Sequence, residues 1–189
     1  MPIPSRSLRP RVLLLVLALL GTLLVIPAAP AAAAPGACSS SHATVRKASI
    51  RRARDATLCL LNRARSRHGL PPLRLNRKLS RAARKHSRDM VRRRYFAHNS
   101  LDGRSPFTRM RATHYVPRNA SWTLGENIGW SQGPLGEPAA LVRAWMHSPG
   151  HRTNILSPRF RDVGIGIVVG APVHGRTGAT YTTDFGHHS

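Results

Sequence analysis

The hydrophobic period of this chain changes once along its length, and that change restricts the folds open to it. From Thr44 to His68, apolar and small residues recur at Ile50, Ala53, Thr57, Leu60, Leu61 and Ala64 with arginines between them, and Gly69-Leu-Pro-Pro stops the run. This is an amphipathic helix with a glycine C-terminal signal. Asn76 is a good N-cap for a second helix, which sets Leu79, Ala83, His86 and Met90 at three- and four-residue steps toward Tyr95 and Phe96. Ser105-Pro106 opens a short helix carrying Phe107 and Met110, and Thr113 to Ser121 is polar and irregular. Trp122 to Trp130 is an apolar stretch interrupted by Gly125 and Glu126. Pro138 starts a further helix through Leu141, Ala144 and Trp145 that must break at Ser148-Pro149-Gly150. The period then becomes two. Val163 to Val169 alternates as a strand, His174 to Gly178 makes a turn, and Ala179 to Phe185 reads as the hairpin partner. Helices followed by an antiparallel hairpin define an α+β or three-layer arrangement, without internal repeats.

The N-terminus has a different plan. Arg6, Arg9 and Arg11 precede an apolar run from Val12 to Ile26, which ends in Ala/Pro-rich sequence. A run of 15 residues is shorter than the roughly 18 to 20 a membrane span needs, and small-x-small sites follow it, so residues 1–34 read as a signal peptide cleaved near 31–37. Residues 35–56 then form an N-terminal extension and the start of the first helix, and 57–187 the folded domain. A membrane enters only through an uncleaved leader. Secretion places the only two cysteines, Cys38 and Cys59, where thiols oxidise, and they are expected to form a disulfide that staples the extension to the first helix.

The charge is extreme, with 30 Lys+Arg against 7 Asp+Glu. Arg51-Arg52, Arg63, Arg65, Arg67 and Arg92-Arg93-Arg94 could neutralise phosphates. However, no nucleic-acid fold signature accompanies them, the aromatics are unclustered, and secretion removes that partner. Outside a cell the reachable polyanions are cell-wall polymers, anionic lipid headgroups and acidic glycans.

So few acids make each one in an apolar setting informative. Glu126 sits between Leu124-Gly125 and Asn127-Ile128, while His98 and His151 lie in similarly apolar, turn-rich sequence. Two imidazoles and a carboxylate are a common divalent-metal set, and equally a buried hydrogen-bonded cluster. Two other motifs fail. His147 and His151 have helical zinc-ligand spacing, but Pro149 and Gly150 intervene. Gly129-Trp-Ser131-Gln-Gly133 lacks the strand-then-helix setting of a nucleophile elbow. Trp122, Trp130, Trp145, Phe96, Phe160 and Phe185 read as core.

Four stretches in order, Tyr95-Phe-Ala-His98, Gly125-Glu-Asn-Ile128, Trp145 to Leu156 with its Ser148-Pro-Gly-His151, and Asp162-Val-Gly-Ile-Gly166 followed by Thr183-Asp-Phe-Gly186, resemble the CAP superfamily of cysteine-rich secretory, antigen 5 and pathogenesis-related proteins. They are most similar to its bacterial secreted single-domain members. The resemblance implies a three-layer α-β-α sandwich with a central antiparallel sheet, and a cleft lined by a His/Glu/Glu/His tetrad. His98, Glu126 and His151 match three of its members. Ser148 stands where the second glutamate is expected, and Glu137, before the helix, is the remaining acid on that segment. Members with the full tetrad can hold a divalent ion, often zinc. The expected function is thus an extracellular, secreted or wall-associated binding module for a lipid, a glycan or an anionic cell-wall polymer, with a His98/Glu126/His151 cleft that forms a weak divalent-metal site, zinc being the candidate ion. Alternatives are a metal-dependent hydrolase using Glu126 and His151, or a basic protein that adheres to surface polyanions.

Overall fold

The computed structural model describes residues 38–189, so the leader reading over 1–34 and its cleavage region lie outside the described residues. The elements are α1 (Ile50–Ser66), β1 (Arg74–Leu75), α2 (Arg77–Arg93), α3 (Pro106–Arg111), β2 (Trp122–Ser131), α4 (Pro138–His147), α5 (Pro149–Leu156), β3 (Asp162–Val169) and β4 (Ala179–His188). Among them no helix is long and apolar enough to cross a membrane. Asn76 caps α2 as its sequence implies, its side chain accepting from the Lys78 and Leu79 amides. Ser105 caps α3 through the Thr108 amide. The first helix begins at Ile50 rather than Thr44, preceded by a 3-10 turn over Lys47–Ser49.

The sheet has the order β1-β3-β4-β2. Its three long strands are antiparallel, and the two-residue β1 adds a parallel pairing to the start of β3. One face of the sheet packs Val163, Ile165, Ile167, Tyr181 and Phe185 against Ala53 and Leu61 of α1, Leu141 and Trp145 of α4 and Ile155 of α5. On the other face Leu79 and Ala82 of α2 meet Met110, Tyr115 and Leu124. This is the three-layer α+β sandwich. It closes tightly because Gly164 and Gly166 of β3 present bare backbone to α2. A Cβ at Gly164 would collide with the backbone of Leu79 and Ser80, and one at Gly166 with Ala83 and Arg84.

Cys38 and Cys59 are bridged, closing a loop of 21 residues onto α1. The Ala139 amide donates to Ser41 O, so the extension is also held to α4. Arg65 is fully buried without a carboxylate. Its guanidinium donates to the carbonyls of Pro71, Ile155, Ser157 and Phe160, tying α1 to the end of α5.

Two residues read as core lie outside it. Phe96 and Trp122 are 45 % and 42 % exposed, so they are not core. Phe96 follows the left-handed Arg94 that ends α2 and leaves the helix stripe, whereas Trp122 begins an edge strand and lies at a tilt against exposed Phe107. Trp145, Phe160 and Phe185 are buried as expected, and Trp130 is partly covered. The break at Ser148 is a corner between two helices. Pro149 ends α4 and serves as the first residue of α5, where its missing N–H costs nothing.

Candidate functional site

Glu126 comes from the middle of β2, on the face it shares with Leu124, toward α2 and α3. Its side chain is only 2 % exposed and both oxygens are taken. His98 Nδ1–H donates to Oε1 at 2.8 Å, and Arg109 Nη2 donates to Oε2 at 2.6 Å. Arg109 in turn points Nη1 at His98 O, Ser100 Oγ and Arg104 O, at 2.8, 3.2 and 3.0 Å. One guanidinium from α3 therefore fixes both the carboxylate and the loop that carries His98. Burial alone would push the Glu126 carboxyl up, but the His98 hydrogen bond and the Arg109 and His86 charges outweigh it and hold the group below its ordinary value.

His151 lies on α5. Its Nδ1 is 2.9 Å from Ser148 Oγ, and its carbonyl accepts from Asn127 Nδ2 at 3.0 Å. Asn154 Nδ2 reaches back to Glu126 O and Asn127 Oδ1, at 3.1 and 2.8 Å, locking α5 to β2. Burial, then the nearby His98, lowers the His151 pKa. His98 thus sits on the Glu126 carboxylate, and His151 lies near His98 with Ser148 at its Nδ1. Glu137 does not join them. It stands before α4, its carboxylate 3.8 Å from His42 of the N-terminal extension. His147 is exposed on a different helix from His151.

Sequence reasoning passed over three members of this cluster. Arg109 is buried, but it was one arginine among many, and only the apolar Phe107 and Met110 around it carried a pattern. Asp184 pairs with Glu126 across the β2–β4 ladder and is 1 % exposed. Burial, then the Glu126 charge, pushes its carboxyl well above the usual range. Its Oδ1 has no hydrogen-bond partner. His86 of α2 gives Nε2 to Ala97 O, leaves Nδ1 unpaired, and is lowered by burial. Their signals, an acid in a strand and a histidine on an apolar helix stripe, were visible but carried no partner.

The residues present do not fit a resident metal ion. Among the described residues no group of three or more His, Cys, Asp or Glu side chains stands close enough to share one. The Glu126 carboxylate already holds a cation, the Arg109 guanidinium, and Ser148 supplies a hydroxyl where a carboxylate would complete the set. Glu126 is also too enclosed to take a proton from a substrate or water. What the cluster offers is two imidazoles, each with Nδ1 fixed by a neighbour and Nε2 bonded to no described residue.

The model of the cysteine-rich secretory protein (CAP) family matches residues 58–182. The chain belongs to this family. Two curated relatives are the uncharacterized protein YkwD of Bacillus subtilis, 41% identical over 109 residues, and the uncharacterized membrane protein YlbC of the same organism, 34% identical over 110. Each match covers 58% of this chain, but only 40% of YkwD and 30% of YlbC. Among solved structures, an extracellular SCP-domain protein from Bacillus anthracis is 30% identical with a TM-score of 0.53, covering 71% of this chain and 39% of that one. An outer surface protein of Borrelia burgdorferi shares the fold at 18% identity and TM-score 0.57, over 68% of this chain and 87% of that one. The chain thus spans less than half the length of the two curated relatives, and what their further length adds is not carried by the match.

Proposed function

We propose that this CAP protein is a secreted bacterial binding module whose His98–Glu126–His151 cleft takes its ligand by hydrogen bonds to two imidazoles, without a bound metal. The saturated Glu126 carries this reading. A buried carboxylate satisfied by Arg109 and His98 acts as a scaffold, fixing the His98 tautomer and leaving Nε2 outward as an acceptor. Paired imidazoles suit a hydroxyl-rich ligand such as a glycan better than an apolar lipid chain. The leader-like N-terminus and the extracellular and outer-surface descriptions of its relatives support secretion and association with a cell envelope.

Calorimetric titration of zinc into the disulfide-intact protein, beside a His98→Ala/His151→Ala double variant, tests it. The expected result is no site that the double variant loses, while binding to immobilised envelope glycans falls in the variant. Micromolar zinc binding lost with the two histidines would overturn the metal-free reading and revive the hydrolase alternative.

A further inference from the structure

On the sheet edge remote from β2, a groove of about 430 Å³ runs between α1 and α2. It is open because β1 is so short. That strand pairs only with Asp162 and Val163, so β3 from Gly164 onward has no described neighbour on that side. Arg51 and Arg54 of α1 line one wall, and Arg77, Arg81 and Arg84 of α2 the other. The three on α2 follow an i, i+4, i+7 pattern, one face of the helix over about 10 Å. No acid lines the groove. Arg54 is paired with Asp55, and the other four arginines enter no ion pair among the described residues.

Four unpaired arginines thus line one channel, Arg51 on the α1 side and Arg77, Arg81 and Arg84 on the α2 side, and an anion relieves their mutual repulsion. The floor distinguishes between possible anions. Ile165 and Ile167 are 4 % and 3 % exposed, so the floor gives little apolar surface, and what the lining adds is Leu75 at one end and half-buried Ile50, too little to grip a row of side chains. The Ile165 amide already donates to Ser80 Oγ at 3.3 Å, and Ser80 Oγ donates to Asn76 O, so an added peptide strand would find its first edge position taken. There is no aromatic in the lining on which bases could stack. What remains is recognition by charge along a line, and the planar guanidinium fork matches phosphate oxygens.

We infer that this groove is a binding site for a linear, phosphate-bearing polymer, held along α2 by Arg77, Arg81 and Arg84 and across it by Arg51. It is separate from the imidazole cleft, so it stands or falls independently of the function proposed for that cleft. It also gives the basic character of the chain a location, because the same arginines dispersed over the surface would bind any polyanion without register.

The probe is inorganic polyphosphate, titrated into the purified protein at several salt concentrations and compared with pyrophosphate and with vesicles of anionic phospholipid. Three proteins are compared: wild type, Arg77→Gln/Arg81→Gln/Arg84→Gln, and the control Arg63→Gln/Arg118→Gln/Arg176→Gln, which removes equal charge elsewhere. All six positions are exposed. The groove variant should lose tenfold or more in affinity at low salt, and its log–log salt slope should fall by about 2, since each lost phosphate contact removes roughly 0.7. The control should lose less than threefold, pyrophosphate should bind far more weakly than polymer, and His98→Ala/His151→Ala should bind polymer as wild type does. Equal losses in the two arginine variants would overturn the site, because the charge would then act without location. Vesicle binding that depends on the groove arginines and that polyphosphate fails to compete would overturn the polymer in favour of a lipid surface.

Discussion

Replacing Arg109 by Met is the perturbation that bears most directly on the site. The pair it breaks is buried on both sides, with side-chain exposures of 6 % and 2 % at 2.6 Å, so the cost is that of stranding a carboxylate in the interior, about 3–5 kcal/mol, and not that of a surface ion pair. His98 makes the contrast. Its hydrogen bond to the same carboxylate is of similar length, but its own side chain is 50 % exposed, so solvent screening limits His98→Ala to about 1 kcal/mol or less. Arg109→Met also frees three acceptors, His98 O, Ser100 Oγ and Arg104 O, which places it at the upper end of that range. For a domain of this size the loss lowers Tm by roughly 6–20 °C. Urea denaturation at neutral pH, followed by tryptophan fluorescence, measures it. The double variant Arg109→Met/Glu126→Gln completes a cycle, and because it leaves no unpaired buried charge it should recover about 1–3 kcal/mol relative to the sum of the single losses. An Arg109→Met loss below about 1 kcal/mol, or a coupling near zero, would refute the claim that Glu126 is a buried scaffold charge, since Glu126 would then have to be either solvated or protonated.

The pH response carries the same logic with two signs. The folded Glu126 carboxyl lies below its ordinary value, so its stabilisation is present above pH 4.5 and is lost as pH falls through the folded value. Asp184 is raised, so the sign reverses: its protonated form favours the fold below pH 3.8, and this advantage is lost as pH rises toward the folded value. Asp184→Asn should therefore be more stable than wild type at pH 7, with the difference shrinking toward pH 4 in urea titrations. A constant difference across that range would show that the Asp184 carboxyl is not raised by the fold. Gly166→Ala places a methyl group against the α2 backbone, so thermal melts should show a loss of roughly 1–3 kcal/mol or more as the helix is forced off the sheet. Reduction of Cys38–Cys59, with its loop of 21 residues, should cost about 3 kcal/mol, read from the shift of the urea midpoint with and without reductant.

What could be read from the chain divides along a physical line. The amphipathic helices, the two caps, the hairpin and the disulfide follow from local period, capping chemistry and compartment, and those act over a few residues or a single pair. The exposed positions of Phe96 and Trp122 do not follow, because they depend on where a helix ends and which strand lies at an edge. Glu126, His98 and His151 stood out as candidates because acids are scarce here and the residues around them are distinctive. Arg109 was not, although it determines what Glu126 does. A guanidinium announces itself in sequence only by contrast, and this chain offers no contrast in arginine. Only the packing of α3 against β2 singles it out.

That distinction changes the reading of the missing tetrad glutamate. If Glu126 were free, Ser148 would mark a metal site short of one ligand, and restoring a carboxylate there would be expected to complete it. With Arg109 bound to Glu126 the local charge is already closed, and a second carboxylate at Ser148 would sit beside His151 with no cation left for it. Ser148→Glu by itself should therefore not create a zinc site, whereas Ser148→Glu with Arg109→Met releases Glu126 and should bind zinc, at the cost in stability worked out above. Zinc calorimetry on the two variants decides between these. Binding by Ser148→Glu alone would show that the guanidinium yields readily to a metal, and that the scaffold reading of Glu126 is wrong.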